Sequence, residues 1–103
     1  MKKYKLVISN VAALDLKNAA EWYSEQKSGL EEDFLDEIEK SIMRIQSNPQ
    51  QFPFVRKQIR MSIVKRFPYG IYFFETFGVI NVIAVFHFSR NPKIIRKRGQ
   101  KLR

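Results

Sequence analysis

The sequence predicts a single α+β domain in which an antiparallel helical hairpin packs on a mainly antiparallel sheet of about four strands. Two stretches with apolar residues at helical spacing occupy the first half of the chain, and three strand-like runs rich in β-branched and aromatic residues follow. The 103 residues leave room for one domain, spanning 1–103. Because the helices cannot bury their apolar stripes alone, a sheet must cover them, and the predicted order is β-α-α-β-β-β.

The helical half follows a short predicted strand over Tyr4 to Ser9. The first helix is predicted from Val11 and ends near Gly29, where glycine suits a left-handed stop. The second helix ends at Asn48-Pro49, since the residue before a proline resists helical geometry. Its continuous apolar stripe consists of Leu30, Phe34, Ile38, Ile42 and Ile45. Two helices joined by so short a link form an antiparallel hairpin.

The strands of the second half are separated by turn residues. Alternation from Ile59 to Ile63 predicts a half-buried strand, and Gly70 to Thr76 reads as the next one. A tight turn is predicted at Phe77-Gly78. Val79 to Phe88 is apolar on nearly both faces, which indicates a central strand. Gln50 to Arg56 is predicted to be a loop.

Positive charge is concentrated in the second half of the chain. Residues 1–53 carry seven Lys/Arg and nine Asp/Glu, whereas residues 54–103 carry twelve Lys/Arg and one acid, Glu75. The stretch from Lys93 to Arg103 is predicted to be a basic tail or a short helix. A solubilising surface normally intersperses both signs. The asymmetry therefore predicts a polyanionic or acidic protein partner, with a plain solvated surface as the alternative.

Several functional classes are disfavoured by composition. The chain has no cysteine, which excludes disulfides, thiolate metal sites and thiol nucleophiles. The apolar stretch near Met1 is too short for a secretory signal, and the longest apolar run is about half a membrane span. Glu31 to Asp33 read as partners of the helix dipole rather than metal ligands. We therefore expect a cytoplasmic protein with no membrane partner, no cofactor and no metal.

An ordered set of short motifs runs along nearly the whole chain. The set consists of Ala12, Asp15-Leu16, Trp22-Tyr23, Gly29-Leu30, Phe34, Asn48-Pro49, Phe52-Pro53, Arg60, Arg66 to Tyr69, Ile71-Tyr72, Val82 to Val85, His87, and Arg90 to Pro92. At these spacings the chain resembles the RelE/ParE superfamily of toxins from bacterial toxin–antitoxin operons. The resemblance implies a small toxin held inactive by a cognate antitoxin, whose acidic C-terminal segment wraps around the toxin's sheet and helices.

Two branches of that superfamily differ in activity. RelE-like members are ribosome-dependent mRNA endonucleases, and ParE-like members are DNA gyrase poisons with no known catalysis of their own. The RelE-like pattern places an arginine where Tyr69 stands, and it often ends in a catalytic tyrosine, whereas nothing aromatic follows Phe88. The chain therefore resembles the ParE-like branch and is expected to inhibit growth by binding DNA gyrase. The alternatives are an mRNA endonuclease acting on the ribosome and a non-toxic, protein-binding derivative of the fold.

The candidate residues for binding the antitoxin or the target lie in the stretch from Ile59 to Pro92. They are Arg60, Lys65, Arg66, Tyr69, His87 and Arg90. In a nuclease, all of these except Tyr69 form the candidate catalytic set, because cations stabilise a phosphorane-like charge and histidine transfers protons near neutral pH. For His87 the favoured interpretation is a strand-end hydrogen bond. For the cations, solvated strand-face charge is the alternative.

Overall fold

The structure is a computed structural model that describes residues 4–90 and 93–100. These residues form five strands and three α-helices. The strands are β1 (Lys5–Ile8), β2 (Phe54–Arg56), β3 (Ile59–Ile63), β4 (Tyr69–Thr76) and β5 (Val79–His87). The helices are α1 (Asn10–Gln26), α2 (Leu30–Ser47) and α3 (Lys93–Gln100), with a 3-10 turn at Pro49–Gln51. The predicted α+β fold with a helical hairpin is confirmed.

The strands form one mixed sheet in the order β1-β5-β4-β3-β2. Only β1 runs parallel to its neighbour β5, and the other pairs are antiparallel. The helices α1 and α2 cover one face, where the larger core includes Phe34, Ile71 and Phe73. Helix α3 lies on the opposite face, where Ile95 packs with Ile59 and other strand residues. As predicted from its apolar faces, β5 is an interior strand, and it lies between β1 and β4.

One sequence-based expectation needs correction. The loop predicted over Gln50 to Arg56 contains the edge strand β2, so the sheet has five strands rather than about four. A three-residue strand directly after Pro53 is too short to show alternation, and it forms because Phe54 and Arg56 pair with β3. Of the two alternatives predicted for the segment that begins at Lys93, the short helix forms, through Gln100, and the burial of Ile95 against the sheet stabilises a helix that would otherwise fray.

The core beneath the helical hairpin is rich in aromatic rings. Tyr23 is buried, as its helical spacing predicts, and its ring centroid lies 5.0 Å from those of both Phe34 and Phe67. Helix α1 begins directly after its N-cap residue Ser9, whose hydroxyl accepts a hydrogen bond from the Ala12 N–H at 3.1 Å. Between the helices, Gly29 adopts φ +86°, a left-handed conformation that favours glycine. These local features fix the hairpin against the sheet.

A buried hydroxyl in β3 gives a stability prediction. Ser62 is 1% exposed, and its Oγ has no hydrogen-bond partner among the described residues. Because a buried unsatisfied hydroxyl is destabilising, Ser62→Ala is expected to raise the free energy of unfolding by about 1 kcal/mol in urea denaturation. The control is Ser41→Ala, which should lower the free energy of unfolding, because the equally buried Ser41 hydroxyl accepts a hydrogen bond from Arg44. A loss of stability in Ser62→Ala would contradict the prediction.

Candidate partner-binding surface

The end of β5 brings together three of the six residues that the sequence singled out. Tyr69 and His87 pair across β4 and β5, and their ring centroids lie 5.3 Å apart. The chain then turns, with the Arg90 N–H donating to the His87 carbonyl at 2.9 Å. The Phe88 N–H donates to the Pro68 carbonyl at 3.0 Å, which fixes the turn to the loop before β4. We call His87 and Arg90 the exit ridge.

The His87 imidazole is engaged by the backbone that follows it. Its Nδ1 accepts a hydrogen bond from the Ser89 N–H at 3.0 Å, and the Ser89 Oγ lies 2.9 Å from the same nitrogen. An Nδ1 that accepts from a backbone N–H leaves Nε2 as the protonated nitrogen of the neutral ring. The ring's hydrogen-bond partners within residues 4–90 and 93–100 both belong to Ser89. This is the geometry of a strand-end hydrogen bond.

A small cavity of about 200 Å³ lies between α1 and the exit ridge. We call it the α1-side cavity; its walls include Asn18, Trp22 and Tyr69 as well as both ridge residues. Burial raises the pKa of the Tyr69 hydroxyl above its ordinary value, and the positive charge of Arg90 opposes this shift. Tyr69 therefore remains a neutral hydroxyl near pH 7. The walls present hydrogen-bond donors beside a half-exposed indole ring.

A larger cavity of about 430 Å³ lies on the other face of the sheet, between β2, β3 and α3. We call it the α3-side cavity. Its apolar wall includes Met61, Tyr72 and Phe88, and burial raises the pKa of Tyr72. Its cations are Arg56 from β2, Arg90 from the ridge and Arg96 from α3. The cavity therefore combines an apolar wall with three guanidinium groups.

The two cavities adjoin, because His87 and Arg90 line both of them. The buried Phe86 ring positions Arg90, because the guanidinium carbon of Arg90 lies 4.5 Å from the centre of this ring. A segment of extended polypeptide that crosses the ridge would contact both cavities in turn. The site thus forms one continuous path over the end of the sheet.

An ion pair beneath this path closes the open edge of β5. Backbone pairing with β1 ends at Val82, whose carbonyl accepts from the Ser9 N–H at 3.0 Å. Further along, the Val85 N–H donates to Asp15 Oδ2 at 3.0 Å. Arg98 Nη1 donates to the Ile83 carbonyl at 2.9 Å and to the same Asp15 oxygen at 2.7 Å. The pair satisfies the strand edge and connects α1 to α3.

Tyr69, which the sequence resemblance puts in place of a nuclease's arginine, begins β4. Tyr69 packs its ring toward the helical hairpin, with its centroid 5.1 Å from that of Phe34. The next residue, Gly70, lies on the α3 face, where a Cβ atom would come within 2.7 Å of Met61 Sδ. The Met61 side chain therefore lies over Gly70. Neither residue supplies a cation to the α3-side cavity, whose arginines come from other elements.

The other three predicted site residues lie away from the exit ridge. Arg60 Nη1 donates to the Phe52 carbonyl at 2.6 Å, so it fastens the chain before β2. Arg66 has a left-handed backbone (φ +72°) and approaches α2, with its Nη2 3.6 Å from Asp33 Oδ2. Lys65 is exposed beside it. The sequence-based set missed Arg56, Arg96 and Trp22, whose grouping depends on tertiary folding.

Comparison with known proteins identifies the family. The family model described as the ParE toxin of type II toxin–antitoxin system, parDE, matches residues 6–92. The chain belongs to the ParE toxin family. A solved chain from the chromosomal ParDE TA system of P. aeruginosa is similar in fold, with a TM-score of 0.70 and 19% identity over 82% of this chain and 96% of that chain. A comparison with curated protein sequences gives no match.

The ParE-like assignment made from the sequence motifs is thereby confirmed. Within the described part of this ParE-family chain, no helix is long and apolar enough to span a membrane. Over the same residues, no three His, Cys, Asp or Glu side chains are grouped so that they could hold a metal ion. What the site offers is charge and shape: two adjoining cavities, an exposed indole and three arginines.

Proposed function

We propose that this chain is the toxin of a type II toxin–antitoxin pair, which inhibits growth by binding DNA gyrase in the cytoplasm and is neutralised by a cognate antitoxin. Membership of the ParE toxin family supports the toxin assignment. The single observation that supports neutralisation at this site is the continuous path over the exit ridge, because it joins an arginine-bearing cavity to a donor-lined one.

The antitoxin segment that fits this path is acidic and extended. Its carboxylates would pair with Arg56 and Arg96 on one side of the sheet and with Arg90 at the ridge, through charge-assisted hydrogen bonds. An apolar side chain would cover the wall formed by Met61 and Phe88. Asp15 does not oppose this binding, since Arg98 neutralises its charge. Such segments are commonly disordered when free and order on binding.

Inhibition by binding rather than by chemistry is supported by the state of the candidate catalytic groups. The Nδ1 atom of His87 is occupied by Ser89. Arg60 and Arg66 contact a backbone carbonyl and the α2 acids respectively, so they do not converge with His87 on one reacting atom. A nuclease needs its cations and its proton donor around a single phosphate.

The proposed target is tested by comparing two readouts after induction of the chain in bacterial cells. We expect growth arrest with gyrase-dependent DNA breaks and an SOS response, and we expect the purified chain to inhibit supercoiling by DNA gyrase. Rapid cleavage of mRNA at ribosomal A sites, without gyrase-dependent breaks, would instead establish the endonuclease. Absence of any growth arrest would leave the non-toxic derivative of the fold.

A further inference from the structure

The tip of the β4–β5 hairpin carries an aromatic side chain that the fold itself does not use. Phe77 is fully exposed, and its backbone adopts φ +50°. Together with Gly78 at φ +79°, it forms a two-residue connection with both residues left-handed, the pattern of a type I′ turn. That turn favours Asn-Gly, and a bulky residue at positive φ is strained. No ring contact of Phe77 exists within the described residues to offset this strain.

The hairpin holds the backbone of Phe77 rigidly. The Gly78 N–H donates to Glu75 Oε2 at 2.9 Å, which braces the turn from one side. The flanking strands are paired directly up to the turn, where Thr76 lies opposite Val79. On its side away from β4, Val79 also pairs with Lys5 of β1. A ring presented on a stiff hairpin loses little conformational entropy on binding, so it is suited to act as an anchor.

The tip lies at the opposite end of β5 from the exit ridge. Val79 and His87 are the two ends of this nine-residue strand and lie eight residue steps apart, a distance of roughly 26 Å at about 3.3 Å per residue. The surroundings also differ in charge, since Glu75 and Lys5 flank the tip, whereas arginines surround the ridge. A partner bound at the tip is therefore separate from an acidic segment bound at the ridge.

We propose that Phe77 is the contact through which this toxin anchors itself in an apolar pocket of its protein target. The inference rests on the proposed function, because it requires that the chain inhibits growth by binding a protein. Aromatic side chains that fill a partner's pocket are typical binding hot spots. The carboxylate of Glu75, which binds the backbone of the turn, disfavours nucleic acid, whose phosphates would repel it, and a single ring is too little to hold a membrane.

The decisive variant is Phe77→Asn, which removes the ring and supplies the Asn-Gly turn that the backbone prefers. We expect it to fold and to unfold at a higher urea concentration than the wild type. In cells, the inducer concentration that halves the growth rate should rise at least about 10-fold at equal protein level. Phe77→Trp keeps an aromatic ring and should retain growth inhibition. Met43→Gln, which alters an exposed apolar residue on α2, should behave as the wild type.

The outcomes separate this inference from the proposed function. If the wild type does not arrest growth, the proposed function is wrong and the inference fails with it. If the wild type arrests growth and Phe77→Asn does so at the same inducer level, the inference alone is wrong. Loss of inhibition in Met43→Gln as well as Phe77→Asn would also overturn it, because the effect would not be specific to the tip. The protein encoded by the adjacent reading frame should bind Phe77→Asn as tightly as the wild type.

Discussion

Arg90→Glu is expected to weaken binding of the cognate antitoxin by roughly 30-fold to 1000-fold. Arg90 lines both cavities that adjoin the exit ridge. An acidic segment that runs from one cavity to the other must therefore pass close to Arg90. Replacing the guanidinium with a carboxylate converts attraction into like-charge repulsion. It also removes the contact of Arg90 with the Phe86 ring, and we expect this to be a smaller effect.

The measurement is titration calorimetry with the protein encoded by the reading frame adjacent to this chain's own. Lys17→Glu is the matched control, because it makes the same charge change on the exposed face of α1, outside both cavities. Its affinity should stay within about threefold of the wild type, since an exposed charge away from the interface contributes little. Equal affinities for Arg90→Glu and the wild type would remove the exit ridge from the antitoxin interface.

Asp15→Ala is expected to lower the free energy of unfolding by about 3–5 kcal/mol. The Asp15 side chain is 7% exposed and accepts hydrogen bonds from both Val85 and Arg98. Without it, the Val85 N–H loses its partner, and the Arg98 guanidinium, 19% exposed, remains largely buried without a counter-charge. For a domain whose total stability is on the order of 5–15 kcal/mol, this is a large fraction.

Urea denaturation followed by circular dichroism measures this effect, with Asp36→Ala as the control, because Asp36 is an exposed acid on α2. The double variant Asp15→Ala, Arg98→Met should lose less than the sum of the two single variants, since the unpaired guanidinium is also removed. If Asp15→Ala lowers the free energy of unfolding by less than about 1 kcal/mol, the Asp15–Arg98 pair contributes no more than an exposed ion pair does, and the prediction is wrong.

Much of the helical half could be predicted from the sequence because its signals are local. The i, i+4 stripe from Leu30 onward and the proline at 49 fixed the second helix, which begins and ends where they indicate. The turn at Phe77-Gly78 likewise follows from a glycine between two apolar runs. Strand β2 escaped prediction because its three residues are ordered by pairing with β3 and carry no pattern of their own.

The site was less predictable because it depends on which face a side chain takes and on contacts distant in sequence. Arg60 lies on the helical-hairpin side of β3 and donates to the Phe52 carbonyl, whereas Arg56 reaches the α3-side cavity from a segment that the sequence predicts to be a loop. Asp15 and Arg98 are 83 residues apart, and Arg98 sits in a run of cations that offers no reason to single it out. The composition predicts a basic surface, but it does not indicate which basic residues form the site.

The account is tested most directly by viable counts after induction of the wild-type chain, alone and together with the protein of the adjacent reading frame. A toxin neutralised through the exit ridge predicts a fall in viable count with the chain alone and recovery on co-expression. It further predicts that Arg90→Glu, expressed at the same level, is no longer rescued. Undiminished counts with the wild-type chain alone, or full rescue of Arg90→Glu, would contradict the account.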